Sequence, residues 1–260
     1  MTVSDNEGGR LPGMVYKDSL SPAATAIGTE LGRAVRVALW PVKLLFENIE
    51  EMENHVETGV MERLSRWRVS PEQVQPAPAQ TSLPVMQALL MNPDASLRVM
   101  YLNLLAQAMD GRYPARVHPA FVEVLRQLTP LEGQMIGALR KQIDSQVDNA
   151  RAIPLIGLRS WVEPGSYETR LKHASALPDL PGVDVPRQAI DNLDRLGIVA
   201  VHENEALSDD RAYESAKQRP DVIAVMARYE REGEVVSHHT YLAEITDFGY
   251  EFIFAVTEPD

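Results

Sequence analysis

The sequence predicts a mainly α (α+β) protein, almost all-alpha, with a small β element near its end. Apolar residues recur at helical spacing over residues 27–67, and signals that begin helices, such as the capping box at 129–132, follow through the middle of the chain. Strand-like patterns occupy residues 153–158, 198–202 and 235–245. A chain of 260 residues is long enough to bury a sizeable core in one or two domains.

The first seventy residues divide into an arm and a helical segment. Residues 1–21 are rich in Gly, Asp, Ser and Pro, which is typical of a flexible arm. Residues 22–70 form a long amphipathic helical segment, whose apolar stripe would span about 60 Å if it were straight. Pro41 should bend or break it, because proline lacks the N–H donor and crowds the preceding turn. One kinked helix and two helices that meet near Trp40 are equally compatible with this pattern.

The most apolar part of that segment, residues 34–46, is too short and too charged for a membrane span, which needs about 20 apolar residues. It could lie in a membrane interface, with Arg33, Arg36 and Lys43 near the lipid headgroups and Trp40 at the boundary. The run of glutamates that follows would be repelled by anionic lipid. A helix that packs in the core or binds a partner is therefore favoured, and peripheral membrane contact is disfavoured.

A proline-rich linker is predicted over residues 71–91, since prolines at 71, 76, 78 and 84 interrupt any ladder of helix hydrogen bonds. Residues 92–260 are then predicted to form a helical core. Its first helix would be capped by Asn92 and end at Gly111, and its second would begin at Pro119. Polar helical pieces are expected on either side of Pro220.

The C-terminal half of this core has the pattern of a winged-helix domain. A short helix, 186–196, ends in a glycine turn at Gly197, a strand follows, and Thr246 is placed to cap a closing helix. This succession predicts a winged-helix-like domain with a small β-wing. Such modules bind DNA or other proteins and seldom carry out chemistry.

The charge distribution argues against nucleic acid as the partner. The net charge is −12, and residues 201–260 hold five Lys and Arg against 14 Asp and Glu. Binding to phosphates requires cations that displace condensed counterions. The helix expected to enter a DNA groove has only Arg187 and Arg195 as cations, beside Asp191 and Asp194.

Two phrases resemble the abortive infection alpha (Abi-alpha) family. They are LLAQAMD at residues 104–110 and HPAFVEVLRQLTPL at residues 118–131. In order and spacing the resemblance extends over residues 15–256. It implies a bacterial or phage-associated protein with a role in abortive infection, and it supplies no catalytic residues.

No catalytic, cofactor-binding or metal-binding residues are predicted, and the protein is not expected to be an enzyme. Cysteine is absent, the six histidines lack the spacing of zinc ligands, and neither glycine-rich phosphate loops nor a nucleophile elbow occurs. The lack of cysteine and the polar N-terminus, which has no signal sequence, indicate a cytoplasmic protein.

Three polar features of the core have alternative interpretations. His118 either makes a polar contact in a cleft or fixes the start of a helix, and the second is favoured. Asp110 is interpreted as the partner of a neighbouring cation or as a helix cap rather than as a catalytic acid. The basic residues that could form a patch are Arg112, Arg116, Arg126, Arg140 and Lys141.

The leading hypothesis is a non-enzymatic protein-interaction component of anti-phage defence. It would contact another protein or associate with itself along the N-terminal helix, and a homo-oligomer is expected. One alternative is a winged-helix DNA-binding regulator, and a third is a membrane-interface effector. The candidate interaction residues are Arg33, Arg36, Trp40, Lys43, His118, Arg187 and Arg195.

Overall fold

The computed structural model has a mixed α+β fold. It describes residues 22–43, 50–92, 94–114, 116–145, 149–163, 166–175, 177 and 187–258, so the predicted arm at 1–21 lies outside the described residues. Within these ranges, ten α-helices accompany a four-stranded antiparallel sheet. The expectation of an almost all-alpha chain is wrong, because the longest strand of this sheet has 12 residues.

The N-terminal helical segment is an antiparallel pair of helices, α1 (Pro22–Lys43) and α2 (Glu50–Arg66). Nη2 of Arg36 lies 2.8 Å from the carboxylate of Glu57, and Gly32 faces Met61. These two pairs run in opposite directions along the chain, which excludes a single straight rod. Of the two alternatives, the one with two helices fits, but they do not meet near Trp40, because α1 continues through Pro41 to Lys43.

A helix replaces much of the predicted linker. A short 3₁₀ turn at Pro71–Gln73 is followed by an extended stretch and then by α3 (Ala79–Met91), which contains Pro84. The linker prediction is wrong from residue 79 onward. The side chains of Val85 and Leu89 are buried in the core, and this packing outweighs the hydrogen bond that Pro84 cannot donate.

Helix α4 (Ala95–Met109) is the central helix of the helical core, with most of its side chains buried. Its N-cap is Asp94, whose carboxylate accepts the N–H groups of Ser96 and Leu97, rather than the predicted Asn92. Around it lie α5 (Ala120–Arg126) and α6 (Pro130–Asp144).

The predicted capping box begins α6. The Thr129 hydroxyl accepts the N–H of Glu132 at 3.3 Å, and the Glu132 carboxylate accepts the N–H of Thr129 at 2.6 Å. This reciprocal pair satisfies two backbone donors at the helix start. The capping-box prediction is therefore confirmed.

The sheet has the strand order β2-β1-β4-β3, and all of its neighbouring strands are antiparallel. Its strands are β1 (Ala152–Glu163), β2 (Ser166–Ala174), β3 (Val199–His202) and β4 (Val236–Ile245). Three of them were predicted and β2 was missed. Most of the first half of β2 is exposed, so its sequence lacks the apolar alternation that signals a strand.

The remaining helices surround the sheet and join it to the helical core. They are α7 (Arg187–Arg195), α8 (Glu214–Lys217), α9 (Pro220–Arg231) and α10 (Asp247–Val256), with a 3₁₀ turn at Asp210–Tyr213. The helical pieces on either side of Pro220 are thus as predicted. The winged-helix description of this half stays a prediction.

Helix α10 closes the molecule against α4 and α6. As predicted, Thr246 caps it, and its hydroxyl accepts the N–H of Gly249 at 2.8 Å. A Cβ on Gly249 would lie 1.9 Å from the carbonyl oxygen of Ile198, so only glycine fits this contact. Phe252 and Ile253 are fully buried in the shared core. Across the described helices, none has the length and apolar content needed to cross a bilayer.

Candidate ligand-binding cleft

The helical core has a cleft where the ends of α2 and α4 meet the sides of α6 and α10. Its volume is about 420 Å³, within the range of roughly 300–1,000 Å³ that is usual for small-molecule sites. We call it the arginine cleft. It is lined by Arg66, Trp67, Gln107, Asp110, Arg112, Tyr113, Arg116, Arg140 and Phe254.

A buried polar chain holds the helices around the arginine cleft in position. The Nε of Arg63, on α2, donates to the side-chain oxygen of Asn103 on α4, and Arg63 Nη1 donates to the Gly59 carbonyl at 2.9 Å. Asn103 in turn donates to the carbonyl of Val256 at 2.8 Å. Burial lowers the pKa of Arg63. This chain fixes the ends of α2 and α10 against α4.

Asp110 and Arg112 form the central ion pair of the cleft. Nε of Arg112 lies 2.8 Å from one carboxylate oxygen, and Nη2 lies 2.7 Å from the other. Arg112 Nη1 also donates to the carbonyl of Trp67 at 3.2 Å. Asp110 is 2% exposed, and its hydrogen bond raises the pKa of Arg112. Asp110 therefore pairs with a neighbouring cation, which is one of the interpretations that the sequence favoured.

Beside the cleft, where α4 ends, two backbone segments approach each other closely. The Gly111 N–H donates to the carbonyl of Gln73 at 2.8 Å, and the Gln75 N–H donates to the carbonyl of Met109 at 3.0 Å. A Cβ on Gly111 would lie 2.5 Å from the Gln73 oxygen. Glycine is therefore required where α4 ends, and the proline-rich stretch is held there as an extended strap.

Two further arginines approach the cleft already paired. Arg140 donates from Nε to Asp144 at 2.6 Å and from Nη1 to the Thr257 hydroxyl at 3.2 Å. Its guanidinium carbon lies 3.9 Å from the ring centre of Phe254. Arg66 forms an ion pair with Glu258. Each pair uses only some of the five N–H donors that an arginine side chain carries, so further donors remain.

Arg116 differs from these three arginines. Within the described ranges, no carboxylate lies at salt-bridge distance from it. Its guanidinium carbon lies 5.4 Å from the ring centre of Tyr113, and that of Arg112 lies 5.6 Å from the same centre. Tyr113 is 52% exposed. An exposed aromatic ring thus lies near two cations, and no described residue accepts a hydrogen bond from the side chain of one of them, Arg116.

Two other polar side chains of the cleft have no hydrogen-bond partner among the residues the structure describes. The indole nitrogen of Trp67 is buried without an acceptor. Gln107 is 6% exposed, and no hydrogen bond of its amide joins it to a described residue. Buried polar groups are almost always paired, and leaving one unpaired costs about 1–3 kcal/mol. This cost applies to the Trp67 nitrogen; the other buried side-chain atom without a partner in the described part of the chain, Nε of Arg98, lies outside the cleft lining.

The predicted interaction residues of the N-terminal helix lie elsewhere. Arg33 pairs with Glu30 at 3.2 Å on the surface of α1, and Arg36 pairs with Glu57 across the groove between α1 and α2. Trp40 is 58% exposed. Lys43 is the last residue of α1, and its side chain lies outside the described residues.

His118 is at the start of α5, where its Nδ1 accepts the N–H of Ala120 at 3.1 Å. Its ring centre lies 6.0 Å from that of Phe121 and 6.3 Å from that of Phe248. This is the arrangement of the helix-start interpretation. His118 does not line the cleft.

The predicted cations of α7 do not reach the cleft either. Arg187 and Arg195 are exposed, and Nη2 of Arg195 donates to the Asn192 side chain at 2.6 Å. Asp191 and Asp194 are exposed on the same helix. The structure therefore divides the predicted interaction residues among the hairpin, the start of α5 and α7.

The basic set proposed from the core is partly brought together. Arg112, Arg116 and Arg140 line the arginine cleft, whereas Arg126 pairs with Glu123 at 3.5 Å and Lys141 is exposed outside it. Sequence reasoning missed Arg66, Trp67, Gln107 and Phe254 as members of the site. The sequence showed Trp67 as the last residue of an apolar stripe, but the spacing of that stripe did not indicate which cations would lie beside it.

The fold and the cleft define a mixed α+β protein whose helical core presents a cationic, aromatic-lined cleft. Comparison with known families then identifies it more closely. The model of the family described as abortive infection alpha matches residues 47–256, and the chain belongs to this family. The match confirms the resemblance but begins after α1, so the likeness proposed for residues 15–46 lies outside it. The search of curated proteins and the search of solved structures found no match.

Proposed function

We propose that this protein is a non-enzymatic component of abortive-infection-type defence against phage, acting through contact with another protein or with a second copy of itself. The observation that carries the proposal is membership of the abortive infection alpha family over residues 47–256. In this proposal the C-terminal half is a winged-helix-like unit, and its wing is structural or binds protein.

The outer face of α1 supports the choice of a protein partner. Val37 is 68% exposed and Trp40 is 58% exposed, and both lie on the side opposite the buried stripe that includes Val35 and Leu39. Adjacent exposed apolar residues are typical of interaction sites. Trp is also enriched among the residues that dominate binding energy.

Two observations disfavour the DNA-binding alternative. The exposed acids Asp191 and Asp194 lie on the helix that would enter a DNA groove, where they would repel phosphates. Nη2 and Nε of Arg195 both donate to the side chain of Asn192. A shift assay with duplex DNA at low salt tests this alternative, and we expect no binding.

The membrane alternative would use the same exposed face of α1. The cations beside Trp40 that would approach lipid headgroups are paired, Arg33 with Glu30 and Arg36 with Glu57. Flotation of the full-length protein with anionic liposomes tests this alternative. We expect the protein to stay in the soluble fraction.

Phage plating tests the proposed function. Cells that carry the gene with its genomic neighbours should give fewer plaques than cells without it, over a broad phage panel. Trp40→Glu should abolish this protection, whereas Trp161→Glu, which changes a tryptophan of similar exposure on β1, should retain it. Equal plaque counts with and without the gene would contradict the defence role. Equal protection by both variants would contradict the role of α1.

A further inference from the structure

We propose that the arginine cleft binds a small nucleotide, with its phosphate held by Arg112 and Arg116 and its base placed against Tyr113 and Trp67. This inference does not depend on the proposed function. It concerns the junction of four helices in the core, whereas the proposed protein contact lies on the outer face of α1.

The cationic side of the cleft fits a phosphate group. Arg116 keeps all of its donors, since no described carboxylate reaches it, and Arg112 keeps donors beyond those bound to Asp110 and Trp67. Both guanidinium groups approach the same tyrosine ring, so their charges converge. Guanidinium groups bind phosphate oxygens through paired, charge-assisted hydrogen bonds.

The aromatic side of the cleft fits a nucleobase. The ring of Tyr113 is exposed and can stack with a base, which contributes about 1–3 kcal/mol per base in single-stranded complexes. The Gln107 amide lines the cleft, has no hydrogen-bond partner among the described residues, and can both donate to and accept from the edge of a base.

The surroundings favour a small ligand over a polymer. A cleft of about 420 Å³, lined by residues of four helices and of the segments that follow α2 and α4, accommodates one nucleotide. The carboxylates of Asp110, Asp144 and Glu258 pair with the arginines around the cleft, and the whole chain carries a net charge of −12. A long polyanion would meet this negative charge along its length, whereas a single phosphate beside Arg116 would meet it only at Asp110, whose carboxylate is bound to Arg112.

Calorimetric titration of the full-length protein tests the proposal. The ligands are AMP, GMP, CMP and UMP, with inorganic phosphate as the ligand that lacks a base. We expect saturable binding of at least one nucleotide at one site per chain. Arg116→Gln should weaken it about tenfold, as expected for the loss of a hydrogen bond between charged groups. Arg33→Gln, which changes a paired arginine on the hairpin, should leave the affinity within about twofold.

A second variant separates the two halves of the site. Tyr113→Leu should weaken nucleotide binding by about fivefold or more, since it removes the stacking surface, and should weaken the binding of inorganic phosphate less. Circular dichroism checks that each variant is folded, and Arg116→Lys, which keeps the charge but loses the paired geometry, replaces Arg116→Gln if that variant does not fold.

Three results would overturn the proposal. They are no binding of any nucleotide at millimolar concentration, affinity that is equal in the wild type and in the Arg116 variants, and tighter, steeply salt-dependent binding of a 20-nucleotide oligoadenylate. The last result would assign the cleft to nucleic acid. None of these results bears on plaque counts, so failure here is distinguishable from failure of the proposed function.

Discussion

The arginine cleft and the groove between α1 and α2 have similar volumes, about 420 Å³ and about 460 Å³, and both are lined by arginines. In the groove, Arg33 and Arg36 are each paired with a glutamate on the hairpin surface, and no aromatic side chain is among the described lining residues. The cleft instead combines one buried nitrogen that lacks a partner, that of the Trp67 indole, with aromatic rings. The two sites are therefore alike in volume and charge, and the cleft differs from the groove by its exposed tyrosine and by the unpaired indole nitrogen of Trp67.

The largest difference should appear in two ion pairs of the same local geometry. Asp110 binds Arg112 in the cleft, and Asp209 binds Arg211 on the surface. In each pair both carboxylate oxygens accept from the guanidinium group, and the two residues are two positions apart in the sequence. Asp110→Ala should lower the free energy of unfolding by about 3 kcal/mol, because it leaves a partly buried guanidinium unpaired. Urea unfolding measures the change.

Asp209→Ala is the matched control. The side chains of this pair are 55% and 89% exposed, so its loss should cost less than about 1 kcal/mol, including the lost cap of the 3₁₀ turn. Equal losses for the two variants would show that the cleft pair is no more important than a surface pair.

A glycine in each region should respond differently to alanine. Gly111→Ala places a Cβ 2.5 Å from the backbone oxygen of Gln73, which cannot move without disturbing the strap. We expect a loss of about 2 kcal/mol in the free energy of unfolding.

Gly32→Ala places its Cβ 3.2 Å from the flexible Met61 side chain, so this variant should be neutral or slightly stabilised, since alanine favours the helix by about 1 kcal/mol. Thermal unfolding of both variants decides the comparison. Greater damage from the hairpin substitution would reverse our view of which region is tightly packed.

The tryptophans of the two regions should differ in access to solvent. With Trp161 replaced by Phe, a second replacement of Trp40 or Trp67 leaves one tryptophan to report. Trp67, whose indole nitrogen is buried, should emit at shorter wavelength and be quenched severalfold less by iodide than the exposed Trp40. Similar quenching constants would mean that the cleft is as open as the hairpin surface.

The smallest effect is expected for Arg116. Because this side chain has no described carboxylate partner, Arg116→Gln should change the free energy of unfolding by less than about 0.5 kcal/mol. A large loss in urea unfolding would show that Arg116 serves the fold, and would remove it as a residue kept for a ligand.

Local structure was readable from the sequence where one short signal determines it. The capping box at Thr129 and the cap at Thr246 are examples, because a hydroxyl three residues before a free N–H satisfies it whatever surrounds the helix. Strand β2 and helix α3 were not readable. In β2 the exposed residues hide the alternation, and in α3 packing of Val85 and Leu89 outweighs the proline signal.

The cleft was even less accessible to sequence reasoning. Arg112, Arg116 and Arg140 were recognised as a basic set, but their common direction depends on how α4 packs on α6. Arg66 and Phe254 are far apart along the chain and meet only through tertiary packing. Spacing along a sequence carries no information about such meetings.

The indole N–H signals of the three tryptophans provide the most direct test that the arginine cleft, and not the hairpin, is the ligand site. The experiment records ¹H–¹⁵N correlation spectra of the full-length protein during titration with the nucleotide that binds best in calorimetry, or with AMP if none is bound. Trp67 reports on the cleft and Trp40 reports on the hairpin. Trp161, on β1, is the internal reference. We expect the Trp67 signal to shift and saturate while the other two stay in place. A shift of Trp40 alone, or no shift of Trp67 at millimolar nucleotide, would contradict the account.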